Sequence, residues 1–320
     1  MTAPSADGPV ASALAPASIG NVGPGLDVLG MAVTGPGDRV IAQHADGTAL
    51  FIADAGHPEL STDPERHTAG IAALAVLRRA GVGPRGIRLV VEKRLPLASG
   101  QGGSAASAVA GAVAVNRLLG DPLDAYALVA CALEAEERVA GRHADNIAAA
   151  LWGGITLVRS LDPIDVVSLP VPDALHIVLA CPEQRLRTAD ARAVLPASLA
   201  REVVVAQMAN VGAMIAALAS GDLALLGRAL DDQIAEPARA RLLPGFTDAK
   251  RAALAAGALG GSISGAGPTS FFLTDGAFTA DFVADAVVGS YAAAGIGCTA
   301  RVERVASSGA LGLSGDWTIV

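Results

Sequence analysis

The sequence predicts an α+β fold that is divided into two domains. Its 320 residues are enough for two domains of ordinary size. Segments with helical and with strand periodicity are interleaved, yet they do not follow the regular alternation of a doubly wound parallel sheet. Neighbouring strand-like segments suit hairpins, which favours mixed or antiparallel sheets. We expect one domain over residues 1–165 and another over 166–320, because three prolines between 161 and 174 mark a junction.

The first half has the pattern of a sheet covered by helices. Residues 11–20 can supply a first strand, 39–54 suit a hairpin, and 86–95 form a strand that stops at Pro96. Apolar residues at helical spacing predict helices, each ending near a glycine, over 68–82, 104–119 and 122–141.

The second half alternates strands with longer helical stretches. Strands are expected over 175–182, after a glycine-rich turn that begins at 260, and over 298–305. Apolar periodicity predicts helices over 188–219, 222–235, 247–256 and 279–294.

Composition and charge limit the partners. A formal net charge of -8 argues against a general surface for nucleic acid or anionic membranes. The N-terminal residues lack the pattern of a signal peptide, and the apolar run 105–115 is too short to span a bilayer. Cys131, Cys181 and Cys298 have no CxxC spacing and suit free thiols in a reducing compartment. We therefore expect a cytoplasmic protein.

The glycine-rich stretch PLASGQGGSAAS, at 96–107, precedes the most apolar predicted helix. Gly100, Gly102 and Gly103 let the backbone approach a ligand closely, and their N–H groups can form a nest for an anion. The start of the following helix adds unpaired N–H groups and partial positive charge. This combination suits a phosphate, to which Lys93 can contribute a charge.

The same stretch also fits a plain turn into a buried helix with Ser104 as its N-cap. It is not a Walker A loop, because GxxxxGK[ST] does not occur. Residues 100–105 match a Rossmann fingerprint formally, but residues 96–99 separate them from the preceding strand and no acidic residue follows at the required distance.

Two further glycine-rich stretches occur, PASIGNVGPGLDVLG at 16–30 and GGSISGAGPTSFFL at 260–273. In this order, the three resemble the signature motifs of the GHMP small-molecule kinases over nearly the whole chain. More specific strings resemble the homoserine kinases within that family: HADNIAAALWGGITLV at 143–158, TADAR at 188–192 and EPARARLLPG at 236–245. The resemblance implies an N-terminal domain like domain 2 of ribosomal protein S5 and a ferredoxin-like C-terminal domain, with the active site between them.

The resemblance also implies that the middle loop wraps the phosphates of ATP. Ser104 and a carboxylate of the next helix would hold Mg²⁺, and we choose Glu136 over Glu134 and Glu137. Without the resemblance, these glutamates suit a solvated helix face equally well. The residues expected at ATP are Pro96, Leu97, Ala98, Ser99, Gly100, Gln101, Gly102, Gly103, Ser104, Ala105, Ala106 and Ser107.

An amino-acid substrate is implied on the other side of the cleft. Asp27 would pair with its α-ammonium group, while Arg192 and Arg239 would bind its α-carboxylate. A lone arginine would otherwise be expected in a surface salt bridge. The other residues expected at this substrate are Asn21, His143, Asn146, Thr188 and Gly265.

Asn146 stands where several GHMP kinases have an aspartate, and an amide cannot accept a proton at neutral pH. The implied mechanism is positioning and charge stabilisation without a side-chain base. Asn146, Arg192 and Lys93 are the expected catalytic residues. The chain departs from the family pattern at Gln101 and Gly103, where Leu and Ser are frequent, and its contacts with adenine stay open.

The resemblance thus implies an ATP- and Mg²⁺-dependent kinase that converts L-homoserine to O-phospho-L-homoserine for threonine synthesis, with a homodimer as in many relatives. Two alternatives stay open. One is a kinase of the same family that acts on mevalonate or a sugar. The other is a protein of this fold that binds a metabolite without catalysis.

Overall fold

The computed structural model describes residues 10–83 and 85–312 as two α+β halves, each built on one sheet. The strands of the first sheet are β1 (Val10–Gly20), β2 (Leu29–His44), β3 (Leu50–Asp54), β4 (Ile87–Glu92), β5 (Ile155–Leu161) and β6 (Ile164–Leu169). The helices of the first half are α1 (Thr68–Arg79), α2 (Gly103–Leu118), α3 (Ala125–Val139) and α4 (Asp145–Trp152). The strands of the second sheet are β7 (His176–Pro182), β8 (Gly260–Ile263), β9 (Ser270–Thr274) and β10 (Cys298–Glu303). The helices of the second half are α5 (Thr188–Ala193), α6 (Arg201–Ser220), α7 (Leu223–Ala229), α8 (Ala235–Ala240), α9 (Phe246–Ala255) and α10 (Ala277–Ala293).

The first sheet has the strand order β3-β4-β2-β5-β6, and β1 pairs with β2 beside this path. The hairpin predicted over residues 39–54 is wrong. The end of β2 pairs antiparallel with β4, His44 opposite Ile87, so β4 lies between β2 and β3. β3 is therefore parallel to β4, and α1 forms the crossover that a parallel connection requires.

Helix α2 lies at the centre of the first half. It is apolar on all faces and packs against α1, α3, β1 and β2. Small residues let these neighbours approach closely: a Cβ on Gly111 would lie 2.5 Å from the carbonyl oxygen of Ala69 in α1. This packing fixes the N-terminus of α2, and with it the glycine-rich loop that precedes the helix.

The second sheet is antiparallel throughout, with the order β10-β7-β9-β8. Helices α9 and α10 cover one face, where Val178, Phe272 and Tyr291 are buried. The other face turns towards the first half and shares its core through Leu179 and Phe271. The glycine-rich turn predicted to begin at residue 260 is shorter than expected, over residues 264–269, and it leads into strand β9 as predicted. Residues 260–263 form strand β8, in which Gly261 leaves room for the ring of Phe272 across the sheet.

The two long helices predicted in the second half are each broken. Pro196 interrupts residues 188–219, so α5 ends at Ala193 and α6 begins at Arg201. Residues 222–235 give only the short helix α7, because the Asp232 carboxylate accepts hydrogen bonds from three consecutive backbone amides and starts α8.

The predicted division after residue 165 falls inside β6, which pairs with β5 in the first sheet. The strands of the two sheets therefore separate between Leu169 and His176.

Helix α6 is the one described helix that is long and apolar enough to cross a membrane by length and composition alone. Its inner face packs against the protein, since buried Gln207 donates hydrogen bonds to Pro24 O at 2.6 Å and to Asp232 Oδ1 at 3.0 Å.

Candidate active site

A cleft of about 320 Å³ lies between the two halves and contains most of the residues predicted for both ligands. All predicted substrate residues line it: Asn21, Asp27, His143, Asn146, Thr188, Arg192, Arg239 and Gly265. Most of the predicted ATP residues line it as well, together with Lys93 and Glu136. Three do not: Ala105 and Ala106 are buried in the core, and Gln101 turns to Cys181 and Arg301 instead.

The loop between β4 and α2 presents backbone to the cleft. Gly100 and Gly102 have φ angles of 81° and 68°, in the left-handed region that favours glycine. A Cβ at Gly102 would overlap Ser18 Oγ and lie 2.9 Å from Asn146 Oδ1. The N-cap of α2 is Gly102, with no side-chain hydrogen bond to the helix, so the alternative in which Ser104 is the N-cap is wrong. The first amides and the positive end of α2 thus face the cleft without a side-chain cap.

Ser104 and Glu136 meet at the edge of this loop. Ser104 Oγ donates a hydrogen bond to Glu136 Oε1 at 3.0 Å, and Glu136 Oε2 is buried without a partner. Burial raises the pKa of the Glu136 carboxyl group, against the opposing effect of His143. Glu134 and Glu137 instead form exposed ion pairs on other faces of α3, so of the three glutamates Glu136 is the one in the cleft.

The buried side chains of His143 and Asp145 connect the region of Glu136 with Asn21 on the other side of the cleft. Asp145 Oδ1 lies 2.9 Å from His143 Nδ1, and Asp145 Oδ2 accepts the backbone N–H of Asn21 at 3.0 Å. Burial alone would lower the pKa of His143, but the hydrogen bond and charge of Asp145, with Glu136, raise it. Burial would raise the pKa of Asp145, but His143 and the backbone N–H groups of Asn146 and Asn21 lower it. Asp145 was not predicted as a site residue, although it lies inside the HADN string.

A hydrogen bond from Ser18 orients the side chain of Asn146. Ser18 Oγ donates to Asn146 Oδ1 at 2.9 Å, and both side chains are buried. This bond fixes the amide plane, so its Nδ2 donor has a defined direction.

Asp27 and Arg192 form an ion pair across the cleft, with nitrogen–oxygen distances of 2.7 and 3.3 Å. The turn that presents Asp27 is tied by Asn21, whose Oδ1 accepts the Asp27 N–H at 3.1 Å and whose Nδ2 donates to Gly265 O at 3.2 Å. The third glycine-rich stretch therefore holds the first one in place.

Arg239 is a buried cation, with only 3% of its surface exposed. Its guanidinium donates to Ala191 O at 3.1 Å and to Gly265 O at 2.8 Å, and no carboxylate of residues 10–83 or 85–312 forms an ion pair with it. Burial, followed by the neighbouring charge of Arg192, lowers the pKa of Arg239. A desolvated cation of this kind favours an anionic ligand.

The far end of the cleft is more apolar. Leu60, Leu97, Val139 and Ala140 line it beside His67, the N-cap residue of α1. No sequence motif marks this end, because the apolar side chains that line it are partly exposed and carry no polar group that points to a ligand.

The chain is similar to known proteins over most of its length. The model of the GHMP kinase N-terminal domain matches residues 67–154, and that of the GHMP kinase C-terminal domain matches residues 214–293. The homoserine kinase of Chloroherpeton thalassium is 42% identical over 287 residues, which cover 85% of this chain and 89% of that protein. The homoserine kinase of Arabidopsis thaliana is 40% identical over 269 residues, covering 82% and 73%. The solved homoserine kinase of Cytophaga hutchinsonii has a TM-score of 0.90 and 42% identity, covering 97% of this chain and 98% of that one.

Proposed function

Because this chain belongs to the GHMP kinases, and to the homoserine kinases within that family, we propose that its cleft binds L-homoserine beside the phosphates of ATP, with Mg²⁺ held by Ser104 and Glu136. The reaction transfers the γ-phosphoryl group of ATP to the side-chain hydroxyl of L-homoserine. The observation that carries the placement of the substrate is Arg239, a buried cation without an ion pair among the described residues.

A zwitterion satisfies the charges on this side of the cleft. The α-carboxylate can accept hydrogen bonds from Arg239 and Arg192, and the α-ammonium group can donate to Asp27. Asp27 and Arg192 already pair with each other, so binding exchanges this pair for new ones and adds a counter-ion for Arg239. Mevalonate and sugars lack the ammonium group that Asp27 would bind.

The loop and the start of α2 suit the triphosphate. Gly100, Gly102 and Gly103 line the cleft without side chains that would block a phosphate, and the helix end adds positive potential.

The donor set of Ser104 and Glu136 fits a magnesium ion. Glu136 Oε2 is buried without a hydrogen-bond partner beside a hydroxyl group, and Mg²⁺ takes few protein oxygens besides water and phosphate. In the described part of the chain no group of three or more His, Cys, Asp or Glu side chains could hold a metal by itself. When bound, the ion would neutralise charge on the phosphate oxygens.

The side chains support transfer without a side-chain base. Asn146 is an amide, and the pKa of Asp145 is lowered while both of its oxygens accept hydrogen bonds. The substrate oxygen forms its bond to the γ-phosphorus as the bond to the β-phosphate oxygen breaks. The hydroxyl proton passes to a phosphoryl oxygen or to water, while Asn146 and Arg192 orient and stabilise the reacting groups.

The product, O-phospho-L-homoserine, would enter threonine synthesis, and we place the enzyme in the cytoplasm.

We also propose a homodimer. Helix α6 exposes 58% of Val205 and 69% of Met208, and no charged residue lies between Glu202 and Asp222. If the α6 helices of two chains packed antiparallel through Val205 and Met208, Met208 of each chain would lie opposite Gly212 of the other, where no side chain stands in the way. Sedimentation of the wild type and of Met208→Glu tests this, since a monomer in both cases would contradict it.

A coupled ADP-release assay over L-homoserine, mevalonate and galactose tests the function. We expect turnover with L-homoserine that requires Mg²⁺. Faster turnover with mevalonate or galactose would assign the chain another substrate, and nucleotide binding without turnover would leave a binding protein.

A further inference from the structure

A buried ion pair lies directly beneath the phosphate loop. Lys93 Nζ forms a close ion pair with Asp38 Oδ2, and their side chains are 4% and 0% exposed. Lys93 Nζ also donates to Gly103 O at 2.9 Å and to Ser107 Oγ at 3.3 Å. An ammonium group has three N–H donors, so these contacts use all of them.

Asp38 in β2 joins both ends of the loop. Its Oδ1 accepts the backbone N–H groups of Arg94 and Leu95, each at 3.0 Å, where the chain leaves β4. Its Oδ2 accepts Ser107 Oγ–H at 2.7 Å on the first turns of α2. Residues 96–102 bridge these two anchors, so one carboxylate fixes the entry and the exit of the loop.

From these contacts we propose that Lys93 is a positioning residue and does not bind a phosphate of the nucleotide. Together, Asp38, Lys93 and Ser107 form a clasp that holds the loop in its binding conformation before nucleotide arrives. The inference rests on the proposed function only in taking this loop as the phosphate site.

The conformation at Gly103 is part of the same clasp. A Cβ at this position would lie 2.8 Å from Lys93 Nζ, which is too close for an ordinary contact. A side chain there would require the ammonium group to shift from its present position among its three acceptors. The missing side chain at the start of α2 therefore serves the clasp as well as access to the cleft.

The test compares the wild type with Ser107→Ala, Lys93→Met and the double variant Asp38→Asn/Lys93→Met. Hydrogen–deuterium exchange of the amides of residues 97–103 is measured in nucleotide-free protein, and the affinity for an ATP analogue is measured separately. Arg94→Met is the matched control, because its side chain is exposed and pairs with Glu92 at 2.8 Å outside the clasp.

We expect exchange of the loop amides to rise about tenfold or more in Ser107→Ala and Lys93→Met, since hydrogen bonds to charged groups are lost. Nucleotide affinity should fall by up to about 10²-fold in Lys93→Met through misplacement of the loop. The double variant should bind better than Lys93→Met, because it no longer leaves the carboxylate of Asp38 buried without its counter-ion. Arg94→Met should match the wild type.

Unchanged loop exchange in the nucleotide-free variants would overturn the proposal. Equal loss of nucleotide affinity in Lys93→Met and the double variant would also overturn it, because the proposal attributes part of the loss to the carboxylate of Asp38 left without its counter-ion. Ser107→Ala keeps the ion pair and so remains informative where the charge variants fail to fold. The exchange experiment needs no amino-acid substrate, so failure of homoserine turnover in the wild type is seen separately.

Discussion

Replacement of Arg239 by methionine isolates the carboxylate contact of the substrate. Methionine matches the aliphatic stem of arginine and has no charge, so it keeps the packing of the stem and removes the guanidinium group with its donors. The hydrogen bonds to Ala191 O and Gly265 O are lost, which costs about 1 kcal/mol each. Removal of a desolvated cation offsets part of this cost, and we therefore expect the variant to fold.

The effect on substrate binding is much larger. Truncation of one partner of a buried charge pair costs about 2–5 kcal/mol, and about 1.4 kcal/mol corresponds to a factor of ten. The KM for L-homoserine should therefore rise roughly 30-fold to several thousandfold in Arg239→Met. The KM for ATP should change by less than about threefold, because Arg239 lies on the substrate side of the cleft.

Steady-state kinetics with each substrate varied in turn give both constants, and thermal unfolding confirms that the variant is folded. Arg241→Met is the control, since Arg241 is exposed at the end of the same helix. Equal increases in the KM for both substrates, or a fall in kcat with neither KM changed, would refute the assignment of Arg239 to the carboxylate.

Three further variants test other parts of the site. Glu136→Gln should lower kcat/KM by about 10²-fold or more through loss of a magnesium ligand, whereas exposed Glu137→Gln should not. Because burial raises the pKa of Glu136, its ionised form destabilises the fold at neutral pH, and Glu136→Gln should unfold at a higher temperature; a lower one would contradict this. Gly102→Ala should abolish activity and destabilise more than Gly120→Ala, whose left-handed backbone has open space around it; equal losses of stability would argue against steric closure. Burial lowers the pKa of His67 in the folded protein, so the stability that neutral His67 contributes is lost as the pH falls through that lowered pKa. His67→Asn should therefore lose less unfolding free energy than the wild type between about pH 8 and about pH 5. Equal pH dependence in urea unfolding would exclude this role of His67.

Local pattern predicted the helices of the first half well, but not the order of the strands. Helix α2 is apolar on all faces, so burial at the centre follows from its sequence. The position of β4 between β2 and β3 depends on pairing between segments more than 40 residues apart, as with His44 and Ile87. No local signal encodes such a pairing.

In the site, too, residues marked by a local pattern could be predicted, whereas residues brought together by distant strands could not. The choice of Glu136 comes from the resemblance, although Val129, Ala132 and Leu133 stand at helical spacing from it and are buried on the same face of α3. Asp38 follows a Gly-Pro-Gly stretch that suits a turn, and its contact with Lys93 spans 55 residues of sequence. Its role becomes visible only when the strands are assembled.

The most direct test of the charge-complementary cleft compares L-homoserine with 3-aminopropan-1-ol, which lacks the carboxylate, and with 4-hydroxybutanoate, which lacks the ammonium group. In the same ADP-release assay, we expect kcat/KM to fall by about 10²-fold or more for each truncated alcohol, since each leaves a charged side chain of the cleft without its partner. Phosphorylation of either one within about tenfold of L-homoserine would contradict the roles given to Asp27, Arg192 and Arg239.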